Sequence, residues 1–482
     1  MRNMKTKFLT MALISCTLIA GGCAASLSPA PAFEDVAINV KQRTGKAISW
    51  DAGGKDDLRA RAHVDRLLKR QLSAASAIQV ALLNNKSLQA TYAGLGVAQA
   101  DLVQAGLLSN PILDVSALWP YQPQTAAANV TAGVVVNFIE LFWKRYKQAV
   151  AESVLAEAKI RVSGMVIDHA STTNLAFIDY VASKQEIGLL KQVVNAARAT
   201  VASAKAIREA GNSTPLDFEL QQNVLTQAKL ELASVEARLA GEREKLNVLM
   251  GTSGKQTRWH APSRLPSTKS LNFGKRHAES FAVERSLELA ALRQKILTLG
   301  YKYQLTDKKA LIPDIGLGAE YENKGSSEGR EQEIGPKLDV TLPLFDQGQA
   351  KRARAIMEIR QAQDEYWAMG VRVRSAARLA QATLETARTS ADYYTGAMLP
   401  QQARLLQATQ QQYNAMQADV FRVIRARRDQ IQTSRSYIGA LKTYWRARVN
   451  FQQILSGRLP VGAGEVMVTA AAPGAGGEAG GH

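Results

Sequence analysis

Two short turn sequences decide the fold of this chain: residues 210–218 read AGNSTPLDF, and residues 415–422 read AMQADVFR. Each turn interrupts a long stretch rich in Ala, Gln and Leu and is followed by a second such stretch. These second stretches end alike, in LMG at residues 249–251 and in LSG at residues 455–457. Because the distance from turn to end is nearly the same in both halves, the sequence indicates an internal repeat.

Long helices are predicted on both sides of each turn. Apolar residues recur every three or four positions over residues 73–108, 144–210, 276–308 and 349–412, which is the period of an amphipathic helix. After the first turn, Leu225, Ala228, Leu232, Val235 and Leu239 continue that spacing as a coiled-coil seam. Such a seam packs against neighbouring helices, so these apolar side chains are predicted to be core.

Four segments between the helices change to a period of two, which predicts strands with one apolar face. They occur as two pairs, each joined by a polar loop, behind an apparent export signal. Strands of this form are typical of membrane β-barrels, while the alternative is a half-buried sheet that packs on helices. The side chains predicted to face the membrane are Leu113, Val115, Trp119, Val134, Val136, Phe138, Leu317, Tyr321, Val340 and Leu342.

Four strands are too few to close a barrel, for which about eight is the practical minimum. An open sheet edge in lipid leaves backbone groups without hydrogen bonds. If the strands cross a membrane, several chains must therefore combine. After residue 23 no apolar run approaches the length of a membrane-spanning helix.

Composition and charge exclude several classes of function. The net charge is +18, but it is distributed along the predicted helices, without a basic tail or a nucleic-acid-binding motif, so no nucleic-acid partner is predicted. The two cysteines lie within the first 25 residues, which leaves no thiolate metal site in the body of the chain. The histidines are scattered and no phosphate loop is complete. We therefore predict no enzyme activity, no cofactor and no metal site.

The N-terminus is predicted to be a lipoprotein signal. Three basic residues precede a short apolar run that ends in LIAGGC at residues 18–23, a pattern typical of secretory signals. Cys23 is the predicted site of lipidation, and Cys16 is the alternative. A single acyl chain binds membranes weakly, so the lipid is an auxiliary anchor. Residues 24–70 are predicted to form an extended linker.

The combined pattern resembles the TolC-like outer membrane efflux proteins over residues 70–460. The features that carry the resemblance are the duplicated order of helix, strand, loop, strand, helix, turn and helix, the Asn110-Pro111 break, the segment LPLFDQG at residues 342–348 and the two turns. The resemblance implies a homotrimer whose twelve strands form one barrel and whose helices form a periplasmic tunnel. It also implies a periplasmic membrane-fusion adaptor, an inner membrane resistance-nodulation-division pump and contact with outer membrane lipid.

The resemblance also implies a gate at the second turn. Members of the family commonly carry acidic side chains there, whereas this chain has Arg422 and Arg425, and Met416 stands at the position of the turn glycine. Arginines that face the pore would favour anionic or neutral cargo, and the alternative is an ion pair of Arg425 with Asp429 or with a neighbouring chain. The candidate residues at the periplasmic tips are Met416, Gln417, Asp419, Arg422, Arg425, Gly211 and Asp217.

The fold class is therefore predicted as mainly helical with a transmembrane β part, in two repeats of long antiparallel hairpins. The predicted segments are a signal peptide (1–22), an N-terminal linker and equatorial segment (23–70), a first repeat (71–254), an equatorial linker (255–275), a second repeat (276–457) and a C-terminal equatorial segment with a disordered tail (458–482).

The predicted function is that of a passive export duct, with heavy metals as one candidate cargo. A multidrug or organic-anion duct is the alternative, followed by a type I secretion duct and by a periplasmic coiled-coil scaffold without a channel.

Overall fold

The computed structural model describes residues 30–51, 53–119, 128–268, 278–312, 315–326, 329–341 and 344–460. Within these ranges the chain is mainly helical and contains one four-stranded sheet. The helices are α1 (Ala30–Thr44), α2 (Lys55–Lys69), α3 (Ala74–Asn84), α4 (Lys86–Ala105), α5 (Glu140–Glu209), α6 (Pro215–Met250), α7 (Ala278–Arg285), α8 (Leu287–Leu311), α9 (Gln349–Tyr393), α10 (Leu399–Asn414) and α11 (Val420–Leu455). The strands are β1 (Ile112–Leu118), β2 (Asn129–Asn137), β3 (Ile315–Ser326) and β4 (Gly329–Val340).

The sheet contains strands from both halves of the sequence. Its order is β1-β2-β3-β4, and each strand is antiparallel to the next. The central pairing runs from Val130 opposite Asn323 to Asn137 opposite Gly316. Strands β1 and β4 therefore form the two edges of the sheet within one chain.

The chain divides into two compact units. The first combines residues up to Asp35 with Tyr92–Lys159 and Gln294–Ala362, and the second combines Val36–Thr91, Ile160–Arg293 and the chain from Gln363. The first unit holds the whole sheet. Helix α5 packs on α8 in this unit through a hydrogen bond of 2.8 Å between the hydroxyl oxygens of Ser153 and Thr298.

The second unit contains the larger core, which is centred on Trp259. The indole ring is buried, and its Nε1 donates to Asn247 Oδ1 at 2.8 Å. The Arg243 guanidinium lies 4.4 Å from the centroid of the Trp259 ring and donates to the Trp259 carbonyl oxygen at 3.0 Å. These contacts hold the segment after α6 against the helices, and a parallel bridge joins Gln71 to His260 beside it.

The predicted coiled-coil seam of α6 is confirmed. Leu225 and Ala228 are buried with Val194 and Ala197 of α5, and Val235 packs further along the same pair of helices. The three-and-four spacing places these side chains on one helical face, where they exclude water together.

The first predicted helix is wrong in one respect, because it is interrupted at Asn85. Its side-chain Nδ2 donates to the carbonyl oxygens of Val248 and Leu249 at 3.1 and 2.9 Å. Its Oδ1 accepts a hydrogen bond from Ser87 N at 2.8 Å and so caps α4. The break satisfies carbonyl groups at the end of α6 that lack partners inside that helix.

The helix predicted over residues 276–308 is likewise divided, at Ser286. Its Oγ accepts a hydrogen bond from Leu289 N at 3.2 Å and caps α8. Leu287 N donates to the Gly457 carbonyl oxygen at 2.8 Å, so this break contacts the end of α11. The helix predicted over 349–412 continues to Asn414 but passes through a π-helical segment, Tyr394–Met398, between α9 and α10.

The prediction of an extended linker over residues 24–70 is wrong for its described part, because α1 and α2 occupy most of it. Arg43, near the end of α1, donates to the carbonyl oxygens of Arg285 and Ser456 at 2.7 and 2.9 Å. Val36 and Val40 are buried on the same helix. The short apolar face of α1 was masked in the sequence by the surrounding charged and polar residues. Within the described ranges, no helix is apolar over a sufficient length to cross a bilayer.

Candidate functional site

The first turn is a closed helix end followed by a capped helix start. Gly211 has a φ of +78°, and Asn212 N donates to the Ile207 carbonyl oxygen at 3.0 Å, as in a left-handed C-terminal cap. Thr214 Oγ1 then accepts from Asp217 N at 3.2 Å, and Asp217 Oδ2 accepts from Thr214 N at 3.1 Å. The Thr214 hydroxyl, followed by the Thr214 backbone N–H, holds the pKa of Asp217 below its usual value.

The second turn has the same backbone pattern without a glycine. Gln417 N donates to the Gln412 carbonyl oxygen at 2.8 Å, and Asp419 Oδ1 accepts from Arg422 N at 2.8 Å. Met416 takes the left-handed position with a φ of +58°, and it alone does so among the non-glycine residues that the structure describes. Its side chain is 96% exposed. The turn therefore accepts backbone strain and presents a free thioether.

Arg422 and Arg425 lie exposed on the first turns of α11. Within the described part of the chain, neither guanidinium forms an ion pair, so the alternative considered from the sequence, a pair of Arg425 with Asp429, is not formed there. The two arginines follow each other at a spacing of three, so they share one face of the helix. A basic patch thus follows the second turn, at the start of α11.

The pairing of the strands separates apolar from charged side chains. Leu113 is opposite Val134, Val134 is opposite Ala319, and Ala319 is opposite Pro336. Because paired residues of antiparallel strands point to the same side, this row defines one face. Asn323 and Gln332, which pair with each other, also lie on this face, and its other members are Leu113, Val115, Ala117, Val130, Ala132, Val134, Val136, Ile315, Leu317, Ala319, Tyr321, Ile334, Pro336, Leu338 and Val340.

The opposite face of the sheet carries charged and mainly acidic side chains, most of them on β3 and β4, together with the apolar Ile112, Leu118 and Val135 on β1 and β2. Among the described residues it carries six carboxylates and two ammonium groups, namely Asp114, Glu320, Glu322, Glu331, Glu333 and Asp339 with Lys324 and Lys337. Lys337 Nζ lies 3.3 Å from Glu320 Oε2, and Lys324 Nζ lies 2.9 Å from Glu322 Oε2. The excess of acid here contrasts with the positive charge of the whole chain.

Most of the strand residues predicted to face the membrane lie together on the apolar face. Trp119 and Phe138 lie just beyond the ends of β1 and β2, and both are exposed. Leu342 falls outside the described residues. The two candidate lipidation sites, Cys23 and Cys16, also fall outside the described residues. Those found on this face are Leu113, Val115, Val134, Val136, Leu317, Tyr321 and Val340.

Eight apolar members of the apolar face were missing from the predicted set, and Ile334 and Leu338 are the two large aliphatic side chains among them that are clearly exposed, at 81% and 62%. Both continue the alternation of β4. The alternation around Leu338 is visible in the sequence, but Glu331, Gln332 and Glu333 made the start of β4 near Ile334 look like loop. Among the described residues, no group of three or more His, Cys, Asp and Glu side chains is arranged to hold a metal ion.

The fold and its two-faced sheet are similar to those of the TolC-like outer membrane efflux channels. Residues 77–252 match the family described as "Outer membrane efflux protein". The resemblance predicted from the sequence is thereby confirmed.

One curated relative and two solved structures illustrate the similarity. The chain is 24% identical over 391 residues to the cobalt-zinc-cadmium resistance protein CzcC of Cupriavidus metallidurans, which covers 80% of this chain and 90% of that protein. The fold is similar to the CmeC outer membrane channel of Campylobacter jejuni, with a TM-score of 0.68 and 12% identity over 80% of this chain and 86% of that one. It is also similar to CusC, with a TM-score of 0.64 and 13% identity over 79% and 91%.

Proposed function

We propose that this protein is the outer membrane channel of a tripartite efflux system that exports heavy-metal cations. The sheet with an exposed apolar face and an acidic opposite face is the observation that carries the proposal. An apolar face suits contact with lipid, and an acidic face suits a lumen through which cations pass. The similarity to CzcC supports cobalt, zinc or cadmium as cargo.

The proposed assembly is a trimer of two-repeat chains. Twelve strands would close one barrel, which removes the open edges β1 and β4. The helices would form the tunnel in the periplasm, and the two turns would form its mouth, where a membrane-fusion adaptor and an inner membrane resistance-nodulation-division pump dock. The channel itself is passive and catalyses no reaction.

The shared geometry of the two helix ends, after α6 and after α11, supports the proposed repeat. Gly251 and Gly457 both have positive φ, at +64° and +91°. Thr252 N and Arg458 N each donate, at 3.0 Å, to the carbonyl oxygen five residues earlier. Each glycine also meets a helix break, at Asn85 and at Ser286. The correspondence of ends and breaks is the pattern expected of a duplicated unit.

Organic-anion export is the second candidate, and the exposed Arg422 and Arg425 favour it. The two candidate functions predict different growth for a strain that lacks the gene. Under the metal hypothesis, growth fails at lower cobalt, zinc or cadmium concentrations than for the parent, and the intact gene restores resistance. Sensitivity to organic anions alone would favour the second candidate. Unchanged resistance to both would contradict an efflux role.

A further inference from the structure

A cavity of about 440 Å³ lies at the end of the sheet where β2 ends and β3 begins. It belongs entirely to the first unit, where the first turns of α5 meet the last turn of α8. Its walls combine exposed apolar, aromatic and basic side chains, so its chemistry differs from both faces of the sheet. The lining residues are Leu141, Phe142, Trp143, Lys144, Arg145, Tyr146, Gln148, Lys308 and Ile312.

The cations of the cavity lack carboxylate partners. Nearby Lys147 is neutralised by Glu140, with 3.0 Å between Nζ and Oε1. Within the described part of the chain, by contrast, Lys144, Arg145 and Lys308 form no ion pair. Three positive charges of two helices therefore converge on one cavity without compensation, which favours an anionic occupant.

A buried hydrogen-bond donor in the wall of the cavity also lacks a partner. The Trp143 side chain is 2% exposed, and its Nε1 is buried without an acceptor in the part of the chain that the structure describes. A buried N–H group without a partner costs free energy, and buried indole groups ordinarily find one. An anionic oxygen held in the cavity that Trp143 lines would supply the acceptor.

The cavity also has an apolar rim. Leu141 and Phe142 are 59% and 66% exposed, and they follow the end of β2 by only a few residues. Aromatic and basic residues at this level are typical of the boundary between the hydrocarbon core and the headgroups. An occupant that uses both parts of the site must have an anionic head and a hydrocarbon body.

We propose that this cavity binds the phosphate group of an anionic phospholipid from the leaflet at the helical end of the sheet. Lys144, Arg145 and Lys308 neutralise the headgroup, Trp143 Nε1 donates to a phosphate oxygen, and Leu141 and Phe142 contact the acyl chains. The proposal rests on the membrane placement of the sheet in the proposed function. A free phosphate ion would leave the apolar rim unused, and a second copy of the chain would have to bring carboxylates.

The test measures retained lipid on the purified full-length protein by native mass spectrometry. Phosphatidylglycerol is the probe, and phosphatidylcholine is the lipid control. We expect Arg145→Ala and Lys308→Ala each to lower retention of phosphatidylglycerol about five-fold. Lys309→Ala is the matched control, because Lys309 is exposed on the same helix and does not line the cavity; its retention should stay unchanged.

A second variant tests the donor. Trp143→Phe keeps an aromatic ring in the core and removes only the N–H group with part of the ring, so folding can be checked by the melting temperature of the same sample. We expect a lower affinity for phosphatidylglycerol at an unchanged melting temperature. If Trp143→Phe lowers the melting temperature, the proposal is tested instead by the retention of phosphatidylglycerol on the double variant Arg145→Ala/Lys308→Ala.

Several outcomes would overturn the proposal. Equal retention of phosphatidylcholine would show that charge is not recognised, and equal loss in Lys309→Ala would show a diffuse surface effect. Displacement of the lipid by inorganic phosphate would identify a free-anion site, and cross-links between copies through Leu141→Cys would identify a protein interface. Metal resistance is measured in the same variants, so that this proposal and the proposed function can fail separately. A variant that loses lipid but keeps metal resistance, or one that keeps lipid but loses resistance, shows that the two properties are independent.

Discussion

Met416 has the left-handed backbone conformation that Gly211 has at the corresponding position of the first turn. A side chain in the left-handed region costs about 1–2 kcal/mol, while glycine costs about 0.5–1 kcal/mol in chain entropy. Met416→Gly is therefore expected to stabilise the turn by up to about 1.5 kcal/mol. Hydrogen exchange at the amides of residues 413–419 would slow accordingly.

The matched control for this change is Gly211→Met, which is expected to speed amide exchange in the first turn. If Met416→Gly left exchange unchanged or made it faster, the thioether itself, and not the backbone, would stabilise the second turn. In that case Met416 makes a contact with another chain or with the adaptor.

The exposed pair Arg422 and Arg425 is predicted to set charge preference at the mouth of the proposed channel. Arg422→Glu/Arg425→Glu is expected to shift ion selectivity toward cations, because a ring of like charges attracts counter-ions. The measurement is the reversal potential in planar bilayers under a salt gradient. Arg427→Glu is the control, because Arg427 lies on the opposite side of α11 by helical spacing. Equal shifts in both variants, or none, would contradict a pore-facing position.

At the scale of the elements, the ends of α6 and α11 determine where other helices break. A β-carbon on Gly251 would lie 2.8 Å from the Asn84 carbonyl oxygen, and one on Gly457 would lie 2.9 Å from the Arg285 carbonyl carbon. Only glycine permits this approach of two backbones. The periodicity of α3 and α4, and of α7 and α8, predicts helix throughout, because the contact that interrupts each pair comes from far along the chain.

This arrangement predicts different costs for the same substitution at two glycines. Gly211 and Gly251 both have positive φ, but nothing lies within 4 Å of a β-carbon at Gly211. Gly211→Ala is expected to cost about 1 kcal/mol, from backbone strain alone. Gly251→Ala is expected to cost about 3 kcal/mol or more, because strain and overlap add.

Urea-induced unfolding, followed by circular dichroism, would rank the two variants. A midpoint for Gly251→Ala equal to that of Gly211→Ala would mean that α3 and α6 separate at little cost. The proposed role of Gly251 in breaking the helix at Asn85 would then be wrong.

At the scale of the whole molecule, the unpaired edges β1 and β4 predict assembly. Each edge presents backbone N–H and C=O groups that lipid cannot satisfy. We expect the purified protein to have the mass of three chains in detergent, measured by light scattering, and the trimer to persist after extraction. A monomer that conducts ions in bilayers would contradict the proposed barrel.

Much of the architecture follows from local pattern in the sequence. Residues 144–210 read as one helix and form α5, because no proline or glycine pair interrupts the amphipathic period. The alternation in Leu113, Val115 and Ala117 determines a two-faced strand, since successive side chains of a strand point to opposite sides. The turns at Gly211 and Met416 can also be predicted from local sequence, because the residues around them cap the end of one helix and the start of the next.

Tertiary structure alone decided the remaining features. The pairing of β2 with β3 joins segments that lie almost two hundred residues apart, and the helix breaks at Asn85 and Ser286 depend on helix ends equally remote. The cavity beside Trp143 needs Lys308 from a distant helix. Such contacts carry no local signature, because their free energy comes from groups that meet only after the chain has folded; periodicity records which face of an element is apolar, but not which partner covers it.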